Sequence, residues 1–211
     1  MIRDYYMSPE EIERKSFQII KEKLGTLDVP KGEIEIIMRV AHATTDIEFA
    51  QSLIFHPKAI KAGVSAIRSG KDIITDVEMV KVGIRAKDLT QFGGKVICLL
   101  NDNEVVQIAR EKKITRAAVS MEKGVSFMEG AIIAIGNAPT ALLEVCELIE
   151  QGKIKPALII GIPVGFVGAE ESKKKLRRFS VPFITNEGPK GGSAIAVSIV
   201  NALIRLALKE K

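Results

Sequence analysis

The stretch Arg39-Val40-Ala41-His42-Ala43-Thr44-Thr45-Asp46 carries the residue types best suited to chemistry. It holds one of only two histidines, set among small residues with an arginine three positions before it. An imidazole titrates near neutral pH, so His42 is suited to giving or taking a proton under mild conditions. A lone histidine is more often structural than catalytic, and on its own His42 fits either role. The other, His56, directly precedes Pro57, which holds the backbone extended and points to a ring facing solvent. Every strand-to-helix junction after His42 carries glycine, asparagine or a basic residue, the types that receive a large anion.

Composition narrows that chemistry. With 46% hydrophobic and 27% charged residues, the 211-residue chain is globular and long enough to bury a sound core. We expect one domain over residues 1–211, with an N-terminal helix over about 9–24 and an α/β core over about 34–208. No apolar run reaches the roughly 18 residues that span a bilayer. Met1-Ile2-Arg3-Asp4-Tyr5-Tyr6 lacks the basic-then-apolar start of a signal peptide, so a cytoplasmic protein is expected. Cys98 and Cys146 fall in apolar segments and read as buried free thiols. No cluster of Cys, His and carboxylates has metal-ligand spacing, so no metal is expected. The net charge of +5 favours an acidic partner. With no tryptophan, 5% aromatics and no recognition motif, a polycarboxylate or phosphate fits that charge better than nucleic acid.

The elements that must position these residues follow from local signals. Ser8-Pro9-Glu10-Glu11 predicts a capped helix start, running to about Leu24 and stopping at Gly25. Ile12, Ile19 and Ile20 mark its buried face, and Ser16 points the same way, either bonding back to the helix or reaching a ligand. Residues 34–41 are apolar and β-branched, and leave strand and helix equally open. Asp46 to Leu53 reads as a helix capped by Thr45 or Asp46. Strands are expected at Lys71–Asp76, Lys95–Leu100, Ala131–Ile135, Ala157–Ile162 and Phe183–Thr185. Helices should follow at about Val77–Val82, Glu104–Lys112, after Thr115, to about Glu150, from about Ala169, and to about Leu208. The C-terminal strands recur every 25 or so residues, the length of one βα unit. This alternation predicts a three-layer α/β fold with a mainly parallel five-stranded sheet, arranged like flavodoxin.

Ligands of such sheets bind beyond the carboxyl ends of the strands. Three junctions lie there: Gly136-Asn137-Ala138-Pro139, Pro163-Val164-Gly165-Phe166-Val167-Gly168, and Gly188-Pro189-Lys190-Gly191-Gly192-Ser193. Their glycines let backbone amides approach a ligand, and their helix starts offer unpaired N–H groups to an anion. Arg116, in the first turn of its helix, asks for an anionic neighbour, which a ligand or a surface carboxylate satisfies equally. The run Lys173, Lys174, Lys175, Arg177 and Arg178 reads as a solvated helix surface. Asp72, Asp76 and Glu78 also read as surface charge. Neither Gly-x-x-x-x-Gly-Lys-Ser/Thr nor Gly-x-Gly-x-x-Gly occurs, so no nucleotide cofactor is indicated.

Taken together, Arg39-Val40-Ala41-His42-Ala43-Thr44, Gly136-Asn137-Ala138-Pro139-Thr140-Ala141-Leu142, Pro163-Val164-Gly165-Phe166-Val167-Gly168-Ala169-Glu170-Glu171-Ser172-Lys173 and Gly191-Gly192-Ser193-Ala194 resemble the precorrin-8X methylmutase family. Ser16-Phe17, Asp76-Val77-Glu78-Met79-Val80 and Thr115-Arg116 are similar to family positions too. The resemblance covers nearly the whole chain, in order. It implies a flavodoxin-like fold, a homodimer with active sites near the subunit interface, and no cofactor. The implied reaction moves a methyl group from C-11 to C-12 of precorrin-8 or cobalt-precorrin-8, a tetrapyrrole edged with carboxylates. His42 matches the family's catalytic histidine and would protonate a ring nitrogen. Ser16, Arg39, Arg116, Asn137, Lys190, Gly191, Gly192 and Ser193 would bind the substrate. The chain departs from the family pattern at Thr45, where glycine is common, and at Pro189, where arginine is. A non-catalytic corrinoid carrier using the same pocket is the alternative.

Overall fold

The computed structural model of the chain describes residues 7–209; the opening Met1–Tyr6, expected above to lack a leader, lies outside the described residues. Eleven α-helices and six strands are present among them. The N-terminal helices are α1 (Pro9–Leu24), α2 (Lys31–Thr44) and α3 (Ile47–Gln51), followed by β1 (Ile54–Phe55) and α4 (Ala59–Arg68). Then come β2 (Ile73–Thr75), α5 (Glu78–Gly83), α6 (Ala86–Leu89), β3 (Val96–Ile97), α7 (Asn103–Lys112) and α8 (Arg116–Lys123). The C-terminal half alternates β4 (Ile132–Ile135), α9 (Pro139–Glu150), β5 (Leu158–Gly161), α10 (Ala169–Leu176), β6 (Phe183–Thr185) and α11 (Ser193–Lys209).

The sheet has six strands in the order β1-β6-β5-β4-β2-β3, not five. All neighbours pair in parallel except β1, which lies antiparallel on β6 at one edge. Two residues are too few to display a period of two, which is why β1 is invisible in the sequence. The segment 34–41, undecided between strand and helix, is the core of α2. Its Ile36, Ile37, Val40 and Ala41 recur at helical spacing and are buried. Burial of that stripe against α11 outweighs the β preference of its branched residues.

Alternate strand residues face opposite layers. Ile73, Ile132, Ala134, Leu158, Ile160 and Ile184 pack with α2, α4 and α11, while Ile74, Ile133, Ile135, Ile159 and Phe183 pack with α8, α9 and α10. The strands are therefore buried on both faces, as the continuous apolar runs require. The capping box at Ser8 and Glu11 forms as expected. On α1, however, only Ile20 and Leu24 are buried, and Ile12 and Ile19 are exposed. Nor does His56 face solvent: its ring is half-buried against the edge of Phe183, and its Nδ1 accepts from the Lys58 amide at 3.1 Å. Cys146 is buried, which pushes its thiol up to about 12, whereas Cys98 is only half-buried.

Candidate functional site

His42 sits in the last turn of α2, at the end of that helix nearest the start of α11. The ring is exposed and stacks on Phe17 of α1, with centroids 5.0 Å apart and planes at 13°. Arg39, one turn earlier, also packs on Phe17, its guanidinium carbon 4.3 Å from the ring centroid. Its Nη1 donates to Glu13 Oε1 at 2.7 Å, and this hydrogen bond holds the Glu13 carboxyl below its usual range. Phe17 thus orients both the imidazole and the guanidinium, using the attraction of a cation for an aromatic face.

The imidazole borders two clefts. One, of about 280 Å³, lies between α2 and α11 and is edged by Arg39, Arg85, Asn201 and Arg205. The other, of about 230 Å³, lies between α1 and α2 and includes Ser16, Lys23 and Thr45. Cations therefore flank the one titratable ring on either side. Arg85, Arg205 and Lys23 are not legible as site residues in the sequence, because helix packing alone brings them beside His42.

The last glycine-rich loop adjoins this group. Lys190 is exposed, and its Nζ meets Asp46 Oδ2 at 3.0 Å. Asp46 also caps α3, accepting from the Phe49 amide at 2.8 Å, and that bond together with Lys190 lowers its carboxyl pKa. A Cβ on Gly191 would lie 2.4 Å from the Ile162 carbonyl oxygen, so only glycine fits there. A Cβ on Gly136 would lie 2.8 Å from Ser193 Cα, so that glycine lets the start of α11 close onto the end of β4. Ser193 itself is buried. Thr45 takes φ 57° and ψ 14° at the C-cap of α2, the left-handed region that favours glycine.

The remaining candidates lie elsewhere. Arg116 lines a hollow formed by α7 and α8, and its Nη1 donates to Asn101 Oδ1 at 3.2 Å. A side-chain amide, rather than an anion, is the polar partner it finds. At the Asn137 junction the three amides just before α9 are taken up within the protein rather than left for a ligand. Asp76, fully buried at the end of β2, accepts from the amides of Gly136 at 3.1 Å, Asn137 at 2.8 Å and Ala138 at 2.7 Å. Asp76 is therefore no surface charge. Burial pushes its carboxyl up, and the three amides oppose that shift.

Of the basic run on α10, Lys174 and Lys175 do form surface ion pairs, and so does Arg177 just beyond the helix. Lys173 does not: it is 1% exposed.

Comparison with known proteins follows this geometry. The profile of the precorrin-8X methylmutase family matches residues 11–206. The cobalt-precorrin-8 methylmutase of Priestia megaterium is 47% identical, covering 95% of this chain and 89% of that protein. The cobalt-precorrin-8 methylmutase of Methanocaldococcus jannaschii is 43% identical, covering 95% of each. The crystal structure of precorrin-8x methyl mutase from Thermus thermophilus superposes with a TM-score of 0.88 at 40% identity, covering 95% of this chain and 97% of that one.

Proposed function

The chain belongs to the precorrin-8X methylmutase family, and from that premise we propose that it moves a methyl group from C-11 to C-12 of precorrin-8 or cobalt-precorrin-8, with His42 as general acid. The products would be hydrogenobyrinic and cobyrinic acid respectively. The observation that carries the reading is an exposed imidazole, held on Phe17, between two clefts edged by cations. A flat substrate bearing carboxylates around its rim could span both clefts with its nitrogen core over the ring.

In this mechanism the His42 imidazolium gives its proton to a ring nitrogen, drawing electron density from the carbon that carries the methyl group. The methyl then migrates within the molecule by a [1,5]-sigmatropic shift, and the proton returns to the imidazole. No nucleophile is needed. General acid catalysis contributes about 10²–10⁴-fold, or roughly 3–5 kcal/mol of barrier. The rest must come from a pocket that holds the rearranging ring better than the resting one. Arg39, Arg85 and Arg205 on one side, and Ser16 and Lys190 on the other, would anchor carboxylates and polar edges. Gly191 and Ser193 would offer backbone amides near the start of α11, whereas the Gly192 amide is already donated to the Ile162 carbonyl at 2.9 Å.

The finer fold assignment, flavodoxin-like, is supported by the five parallel strands, which run 2-1-3-4-5 across the sheet. Arg116 lies with α7 and α8, across the sheet from α2, and we assign it and Asn137 to the same substrate through a homodimer in which the second copy presents them. A cytoplasmic location is proposed with this activity; no described helix is long and apolar enough to cross a membrane.

The test is to mix the purified protein with precorrin-8, with and without cobalt, and follow the absorption spectrum. Conversion at substoichiometric protein is expected. Stoichiometric binding without conversion would instead identify a corrinoid carrier. His42→Ala should still bind but turn over at least about 100-fold more slowly. Near-normal turnover would remove His42 from the mechanism. In the same assay Arg205→Gln should raise KM about tenfold and leave kcat nearly unchanged, as expected for a lost charged hydrogen bond made equally in ground and transition states.

A further inference from the structure

Lys173 is a buried lysine on α10, and a buried ammonium ordinarily sits beside a carboxylate that neutralises it. Here its Nζ donates instead to two uncharged oxygens, the Asn186 side-chain Oδ1 at 3.1 Å and the Lys190 backbone carbonyl at 2.6 Å. Asn186 is fully buried as well, and its Nδ2 donates to the carbonyls of Glu187 at 2.7 Å and Lys190 at 2.9 Å. The Lys190 carbonyl is thereby gripped twice, once by an ammonium and once by an amide.

The same loop is tied from its outer side. The Gly165 amide donates to the Pro189 carbonyl at 3.1 Å, and the Gly192 amide donates to the Ile162 carbonyl at 2.9 Å. Gly191 packs so closely on the carbonyls of Ile162 and Pro163 that no side chain fits. These contacts fix residues 189–192 against the loop after β5, while the grip from Lys173 fixes the backbone of the one residue whose side chain reaches Asp46. An apolar side chain of similar length would fill the space without the cost of burying a charge. What only an ammonium supplies is a strong charge-assisted donor to that carbonyl.

We infer that Lys173 is a positioning residue. It clamps the Lys190 carbonyl so that the Lys190 ammonium and the Gly191 amide are held ready for an acidic edge of the substrate. The inference rests on the proposed role of Lys190 in binding, and acts through that loop without touching the reacting atoms.

The test compares Lys173→Met with the wild type in steady-state kinetics and in amide hydrogen exchange, with folding checked by circular dichroism. In Lys173→Met we expect KM to rise about tenfold and kcat to stay within about threefold, the pattern of lost binding with the acid left in place. Exchange across residues 186–192 should quicken while that of α2 does not. Lys190→Ala should raise KM in the wild type yet add less than about twofold in Lys173→Met, because two groups acting through one loop are not additive. Should Lys173→Met not fold, Asn186→Ala removes the second grip on the same carbonyl and is expected to move KM and exchange in the same directions. A folded variant with wild-type KM and wild-type exchange of residues 186–192 would overturn the inference, as would independent, multiplying effects of Lys173→Met and Lys190→Ala. If Lys190→Ala is silent in the wild type, the binding role of Lys190 falls instead, and the exchange measurement still decides whether Lys173 holds the loop.

Discussion

Burial lowers the pKa of Lys173 to about 8, against 10.5 for a solvated lysine, with Glu170 on the same helix opposing the shift. Below about pH 8 the amine is charged in both folded and unfolded chains, and the folded state bears the whole cost of burying it. Between 8 and 10.5 the folded chain holds fewer protons than the unfolded one at this residue, so raising the pH favours folding. The wild type should therefore gain stability relative to Lys173→Met on going from about pH 7 to about pH 10, read as the difference between urea midpoints at each pH. A difference that stays constant over that range would mean the amine carries the same charge in the folded and unfolded chains, and that burial does not lower its pKa. Thr45 is a second residue with a local cost. A β-branched side chain in the left-handed region is strained by about 1–2 kcal/mol, a cost that glycine would not bear.

At the scale of elements, the start of α9 depends on a residue sixty positions away. Helix starts leave amides without partners, and a capping side chain usually comes from the residue just before the helix. Ala138 stands there with no side-chain oxygen and makes no such cap; Asp76 at the end of β2 instead holds the chain entering the helix, by the amides of residues 136, 137 and 138. These bonds tie the end of β2 to the loop after β4, across the point where the strand order reverses. Asp76→Ala should destabilise the protein by about 3 kcal/mol, since three amides lose their acceptor at once. Urea denaturation measures it, and a loss under about 0.5 kcal/mol would mean that water replaces the carboxylate without cost. On the α2 and α11 side, by contrast, the guanidinium groups of Arg39 and Arg205 line an open cleft.

At the scale of the molecule, the proposed site is divided. Ser16, Arg39, His42 and Lys190 gather on one flank, and Arg116 lies on the other, where Thr115 and Thr140 join the starts of α8 and α9 by a 2.7 Å hydrogen bond. The loop after β5 meanwhile presents Phe166 and Val167 almost fully to solvent. Exposed apolar side chains beside a binding loop are the usual mark of a contact surface. Sedimentation at micromolar concentration should give a mass twice that of the chain. A monomer at that concentration would leave Arg116 and Asn137 without a route to the substrate.

Sequence alone determined what depends on neighbours along the chain. The caps at Ser8 and Thr115, the five apolar parallel strands and the β–α alternation after them are local patterns, and each appears in the structure where those patterns put it. Only the tertiary structure decided which groups meet. No spacing links Asp76 to the amides of 136–138, Lys173 to the carbonyl of Lys190, or Phe17 to His42. Such pairs form because the packing of helices on the sheet leaves a buried donor or acceptor that must find a partner, and the nearest one in space is remote in sequence.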